Sequence, residues 1–94
     1  MLSAVPRSGH KTRRNYRSDA RSAPEVLLAV ERLGKRIRRL REERNLSQER
    51  LAEEAKLAAK HLQDMEHGRT NPTVASLVGL AKALGIKLHV LFEE

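Results

Sequence analysis

Four histidines and no cysteine are the first side chains to examine for metal binding or nucleophilic catalysis, and their placement argues against both. Without cysteine there is no thiolate zinc site and no disulfide framework, and a reducing cytoplasm is the compatible compartment. His61 and His67, six residues apart, do not share a helix face; His10 sits in the N-terminal stretch and His89 beside a C-terminal apolar run. Each reads as a surface or edge residue, so no metal, no cofactor and no enzymatic reaction is expected. The chemistry that remains is electrostatic. The 19 basic and 12 acidic side chains give a net charge of +7, which favours an anionic partner, a nucleic acid or an acidic membrane surface. Residues 1–30 carry six basic and two acidic groups, residues 31–50 eight and four, and residues 51–94 five and six, so the positive charge lies in the first half. No apolar run approaches the roughly 20 residues needed to cross a bilayer. Tyr16 and Phe92 are the only aromatics, too few for a single-strand binder that stacks bases on rings; recognition by inserted helices fits better.

Such helices need a core to hold them. Residues 1–22 combine Arg, Ser, Gly and Pro with few bulky apolar groups and cannot offset the entropy of ordering. They read as part of a disordered basic tail, residues 1–23, ahead of a domain at 24–94. A minor-groove arm is the functional alternative for the tail. Ser22, Pro24 and Glu25 in S-A-P-E predict a capped helix start. Val26, Val30, Leu33, Ile37 and Leu40 then recur at helical spacing, with Arg36, Arg38, Arg39 and Arg44 on other faces. Gly34 weakens this first helix by about 1 kcal/mol relative to Ala, which moves its expected stable start toward Leu33. Asn45 is the expected stop.

Ser47 caps a second helix with Leu51, Ala52 and Ala55 inward; a turn of about three residues leads to a third with Leu62 and Met65 inward, closed by Gly68. Thr73 caps a fourth carrying Leu77, Leu80, Ala81 and Leu84, closed by Gly85. The segment IKLHVLFEE fits a short helix gathering Leu88, Leu91 and Phe92, or a strand alternating Ile86, Leu88, Val90 and Phe92 that could form a dimer edge; the helix is preferred. Two short helices joined by a tight turn and backed by a longer basic helix form the geometry in which the second lies in the major groove while the first crosses the phosphates.

From Leu33 to Glu93 the sequence resembles the Cro/CI-type (Xre) helix-turn-helix family, in GKRIRRLREERNLSQERLAE at 34–53, HLQDMEHGRTNPT at 61–73 and LAKALGI at 80–86. The resemblance implies an all-α, five-helix, lambda-repressor-like DNA-binding domain, a homodimer on a two-fold operator, and double-stranded DNA as partner. It places Ala59, Lys60, Gln63 and Asp64 where the family reads base edges; Lys60 could donate to guanine and Gln63 pair with adenine. Asp64 has two open roles, accepting from cytosine N4 or pairing with Lys60 one turn earlier. Gln48 falls where the family holds a phosphate and braces the reading helix, its plain alternative being a solvated first-turn residue. Arg69, Thr70 and Asn71 fall at phosphate-contact positions, Asn71 before Pro72 serving equally as a turn former. Arg41 and Glu66 correspond to a buried ion pair, against which Arg41 would simply join the solvated basic face. Two positions depart from the family pattern: Lys56 stands where Gly is usual in the tight turn, and Ala58 replaces a hydroxyl cap.

A transcriptional regulator, repressor or autoregulator, follows as the expected function. The alternatives are an antitoxin with a toxin as partner, a restriction-modification controller, and a protein-interaction module whose surface is the fourth helix with the C-terminal segment. A membrane-surface role for the basic first helix fails, because its apolar stripe is needed by the other helices.

Overall fold

The computed structural model describes residues 23–93, so the tail expected at residues 1–23 lies almost wholly outside the described residues. Four α-helices follow one another, α1 (Pro24–Glu43), α2 (Gln48–Ala55), α3 (Ala59–Glu66) and α4 (Val74–Leu84), and a 3-10 helix (Leu88–Phe92) ends the domain. Among the described residues there is no strand. The five-helix expectation therefore becomes four α-helices and one 3-10 turn, and the strand alternative for IKLHVLFEE is set aside.

The starts follow side-chain chemistry. Pro24 opens α1 at the first helical position, where its missing N–H is of no consequence. The residue in the cap position is Ala23, which has no acceptor to offer, in place of the expected Ser22, which lies outside the described residues. Ser47 Oγ accepts the Arg50 N–H at 3.0 Å and Thr73 Oγ1 the Ser76 N–H at 3.1 Å, satisfying donors the first turns leave open. Ala58 caps α3 without any side-chain bond.

The ends share one device. Asn45, Lys56, Gly68 and Gly85 have φ of 56°, 60°, 68° and 72°. In each case the residue after the left-handed one donates back across the last turn, Leu46 N–H to Arg41 O (3.2 Å), Leu57 to Ala52 (2.8 Å), Arg69 to Asp64 (2.8 Å) and Ile86 to Ala81 (2.9 Å). This is the Schellman closure, and its usual apolar contact is present as well: Leu46, Leu57 and Ile86 pack against the core. Each helix is thus stopped and turned within two residues, and α1, α2 and α4 are stapled to the interior as well.

Ile37, Leu51, Leu62, Met65, Leu80 and Leu91 are the largest fully buried side chains, each stabilising the fold by about 1.5–3 kcal/mol through lost water contact. The inner stripe expected on α1 is buried only from Leu33 onward; Val26 and Val30 are half-buried, and Leu27 and Leu28 are 53% and 46% exposed. The helix nevertheless runs unbroken through Gly34. A Cβ there would collide with the Met65 carbonyl and sit 2.8 Å from that of Glu66, so this glycine is what lets α1 and α3 cross backbone to backbone. Gly79 does the same for α4 on α2, where a Cβ would lie 2.8 Å from Ala55 O. In the 3-10 helix only Leu91 reaches the core, while Leu88 and Phe92 are 37% and 59% exposed. The shared face expected for the three residues is reduced to one anchor, because a segment of five residues presents little more than one inward position.

Two substitutions test these backbone readings by thermal melting. Gly34→Ala is expected to lower the melting temperature although Ala is the better helix former, since the methyl meets backbone that cannot step aside. Lys56→Gly is expected to stabilise by roughly 0.5–1 kcal/mol, a few degrees, as relief of left-handed strain exceeds the added freedom of the unfolded chain. A lower melting temperature for Lys56→Gly would contradict the turn geometry.

Candidate nucleic-acid interface

Helix α3 is positioned by a buried polar cluster. Arg41 Nε donates to Glu66 Oε2 at 2.7 Å and Nη2 to Glu66 Oε1 at 3.1 Å, a two-pronged pair from the last turn of α1 to the end of α3. Its remaining nitrogen, Nη1, donates to Leu46 O at 2.8 Å, the carbonyl just past the α1 closure. Gln48 Nε2 then donates to Glu66 Oε1 at 3.0 Å from the first position of α2. The side chains of Arg41 and Glu66 are 11% and 1% exposed. The bond to Glu66 raises the Arg41 pKa above its ordinary value, against the opposing effect of burial. Fork geometry suits guanidinium to carboxylate and would not survive Lys at this position. Gln48 keeps a second amide hydrogen beyond the one held by Glu66, beside the open N–H groups of the α2 first turn.

Along the solvent-facing side of α3, Ala59, Lys60 and Gln63 are exposed and Asp64 is half-buried. Lys60 Nζ donates to Asp64 Oδ1 at 2.8 Å, and Arg69 Nη1 lies 3.9 Å from the same oxygen. The Lys60 hydrogen bond holds the Asp64 carboxyl below its ordinary value, reinforced by the charges of Lys60 and Arg69. Of the two roles open for Asp64, the pairing is the one the free protein displays. The Gln63 carbonyl accepts from the His67 backbone N–H at 3.1 Å and lies 2.8 Å from His67 Nδ1. The chain therefore brings Lys60, Asp64 and Arg69 together, with Gln63 beside them. Arg69, Thr70 and Asn71 together line a hollow against Val26 and Val30 of α1.

Three features escaped the sequence. Arg44 Nε donates to Leu84 O at 2.9 Å and Nη1 to Leu40 O at 2.9 Å, capping the end of α4 from 40 residues away, a closeness no local pattern encodes. Arg36 Nε similarly reaches Val90 O at 3.3 Å and ties the 3-10 helix to α1. His61, read as a surface residue, is half-buried with Nε2 shut from solvent and lacking a hydrogen-bond partner. Among the described residues no group of His, Asp and Glu is arranged to hold a metal, and no helix is long and apolar enough to cross a membrane.

Residues 37–91, from the middle of α1 through the 3-10 helix, match the profile of the helix-turn-helix family HTH_3. The chain belongs to that family. Its HTH_3 domain is 42% identical over 62 residues to an immunity repressor protein of Bacillus phage phi105, covering 66% of this chain and 43% of that protein. It is likewise 42% identical over 62 residues to the HTH-type transcriptional regulator DdrOP3 of Deinococcus deserti, covering 66% and 48%. The chain thus spans less than half the length of either relative. Among solved structures, the restriction-modification controller protein C.AhdI from Aeromonas hydrophila superposes with a TM-score of 0.66 at 35% identity, covering 67% of this chain and 96% of that one. These matches bear out the Cro/CI-type resemblance.

In this HTH_3 domain Arg41→Met leaves the Glu66 carboxylate buried with only Gln48 for a partner, at an expected loss of about 3–5 kcal/mol in denaturant unfolding. The double change Arg41→Met with Glu66→Leu removes both charges and is expected to recover most of that loss. Equal destabilisation of the single and double variants would show that the pair is not the constraint described.

Proposed function

We propose that the domain, residues 24–94, binds double-stranded DNA in sequence-specific fashion and regulates transcription in the cytoplasm as a repressor or autoregulator, with α3 in the major groove. One observation carries this reading: α3 is held from behind by the Arg41, Glu66 and Gln48 cluster while Lys60, Gln63 and Asp64 face outward beside Arg69. A helix fixed on one side by charge-assisted bonds and polar on the other is suited to presenting side chains to base edges. The family, with relatives named as a repressor and transcriptional regulators, supports the same conclusion, and no enzymatic reaction is assigned to it.

Roles divide by chemistry. Gln63, with an exposed side chain, reads a base; Lys60 reads one only after leaving Asp64. Gln48 offers its second amide hydrogen to a phosphate at the α2 N-terminus, and Arg69 supplies charge. Thr70 and Asn71, beside Arg69 before α4, are the further phosphate contacts. Two copies on a two-fold operator would meet through α4 and the 3-10 segment, where Val74, Val78 and Leu88 are 69%, 40% and 37% exposed. A restriction-modification controller is the second reading, favoured by the 96% coverage of the C.AhdI chain.

Selection from random duplex DNA at fixed salt, followed by sequencing, tests the assignment. Gln63→Ala is expected to relax preference at one base-pair position by about 1–3 kcal/mol. Arg69→Ala is expected to weaken binding to all sequences alike and to reduce the salt slope by about one. An unchanged preference in Gln63→Ala would remove α3 as the reader.

A further inference from the structure

His67 follows Lys60 and Gln63 at helical spacing, seven and four residues on, so the three share one stripe of α3, and like them it is exposed. Its ring is held in place. Nδ1 lies 2.8 Å from Gln63 O, and a carbonyl oxygen can only accept, so Nδ1 carries the hydrogen and donates. The His67 backbone N–H donates to the same oxygen at 3.1 Å. The imidazole is thereby laid back along the helix beside Gln63. Nε2 is its remaining polar atom, a bare acceptor in the neutral ring and a donor once the ring is protonated. The other histidine of α3, His61, is half-buried with Nε2 shut from solvent, so His67 is the one an approaching ligand meets.

A reading helix enters the major groove with its N-terminal residues, which leaves its last turn beside the sugar-phosphate wall. His67 is the C-terminal cap residue of α3, two residues before Arg69. A neutral ring would turn the lone pair of Nε2 toward an anionic oxygen and gain nothing there; an imidazolium offers that oxygen an N–H and a positive charge. The charged groups around His67 are Lys60 and Asp64 of α3, Arg69 beyond Gly68, and Glu31 of α1, whose Cα would lie 3.3 Å from a Cβ placed on Gly68. Asp64 is engaged by Lys60 at 2.8 Å, with Arg69 at 3.9 Å. The Lys60 bond holds the Asp64 carboxyl below its ordinary value, so it stays ionised across the range from pH 5 to 8 in which histidine ordinarily titrates.

We propose that His67 is a further DNA contact, engaging a phosphate of the duplex through Nε2–H as the imidazolium while Nδ1–H stays on Gln63 O. The proposal rests on the reading of α3 as the helix that enters the groove. Binding then takes up one proton from solvent. An anionic oxygen beside the ring favours its charged form, so the complex holds that proton more tightly than the free protein does. Affinity therefore rises as pH falls through the histidine range and levels off once the free ring is protonated as well. Because phosphates are common to all sequences, the contact strengthens every duplex alike and leaves base preference to Gln63.

The test titrates the full chain into a fluorescently labelled duplex at fixed salt between pH 8.0 and pH 5.5 and reads anisotropy, with both a selected and a random sequence. For the parent, affinity is expected to rise at least fivefold from pH 8.0 to pH 5.5 on either duplex. His67→Asn keeps a donor for the Gln63 carbonyl but cannot be charged. It is expected to melt near the parent temperature, to bind within twofold of the parent at pH 8.0 and to change less than twofold across the range. At pH 5.5 the salt slope of the parent should exceed that of His67→Asn by about one, and at pH 8.0 the two should coincide. A pH dependence retained in His67→Asn would place the proton elsewhere and overturn the proposal, as would its loss in Glu31→Gln, which would make it an ion pair within the protein. A pH dependence confined to the selected duplex would make His67 a base reader instead of a phosphate contact. Duplex binding that is present but flat with pH would dismiss His67 alone, whereas no duplex binding at any pH would overturn the reading of α3 and this proposal with it.

Discussion

Everything presented by α3 depends on how one carboxylate is satisfied. Glu66 is almost wholly removed from water, and an unpaired charge in such a place would cost several kcal/mol. Arg41 meets it with two parallel bonds and Gln48 with a third, so the requirement to keep Glu66 paired fixes the end of α1 and the start of α2 relative to the end of α3. The third arm of the guanidinium, on Leu46 O, draws in the connection between α1 and α2. Four separate stretches of backbone are thereby referred to one group of atoms. Such a cluster is poor at adding net stability and good at defining a single arrangement, which is what an orienting scaffold requires.

Two backbone crossings complement it. At Gly34 and Gly79 the helices approach until carbonyls occupy the space a methyl would need. Side-chain packing tolerates small slides, but backbone contact does not. The polar cluster sets direction at one end of α3 and the glycine crossing sets distance, while α4 is referred to α2 in the same way. With both in place, the short helices α2 and α3, eight residues each, need little intrinsic helix stability; their ends are held by left-handed closures, joined in α2 by the apolar staple of Leu57, rather than by length.

Much of this was legible in the sequence because the signals were local. Ser47 and Thr73 as caps, Gly68 and Gly85 as stops, and the apolar spacing of the four helices depend on chemistry within a turn or two, whereas the positive φ of Lys56 was implied by the family resemblance, which has Gly there. The failures were long-range or concerned what lies opposite. The half-exposure of Val26 and Val30 shows that helical spacing reports a face without reporting whether anything covers it. Gly34, read as a weakness within its own helix, is a requirement of another. The Arg41 and Glu66 pairing was carried by family resemblance alone, since nothing in either neighbourhood points across 25 residues. Arg44 on Leu84 had no such help and was missed.

The contact between Lys60 and Asp64 has a bearing on discrimination. In the free protein the most accessible cation of the α3 face is already answered by its own acid, so the centre of that face offers a passing polyanion little net attraction. For any duplex that α3 meets, a sequence presenting the wrong groups leaves the internal pair closed and gains nothing from Lys60. One that accepts from the ammonium and donates to the carboxylate replaces one contact by two. On the proposed reading of α3, the pair would work as an internal competitor, lowering indiscriminate adhesion more than it lowers recognition and widening the gap between them.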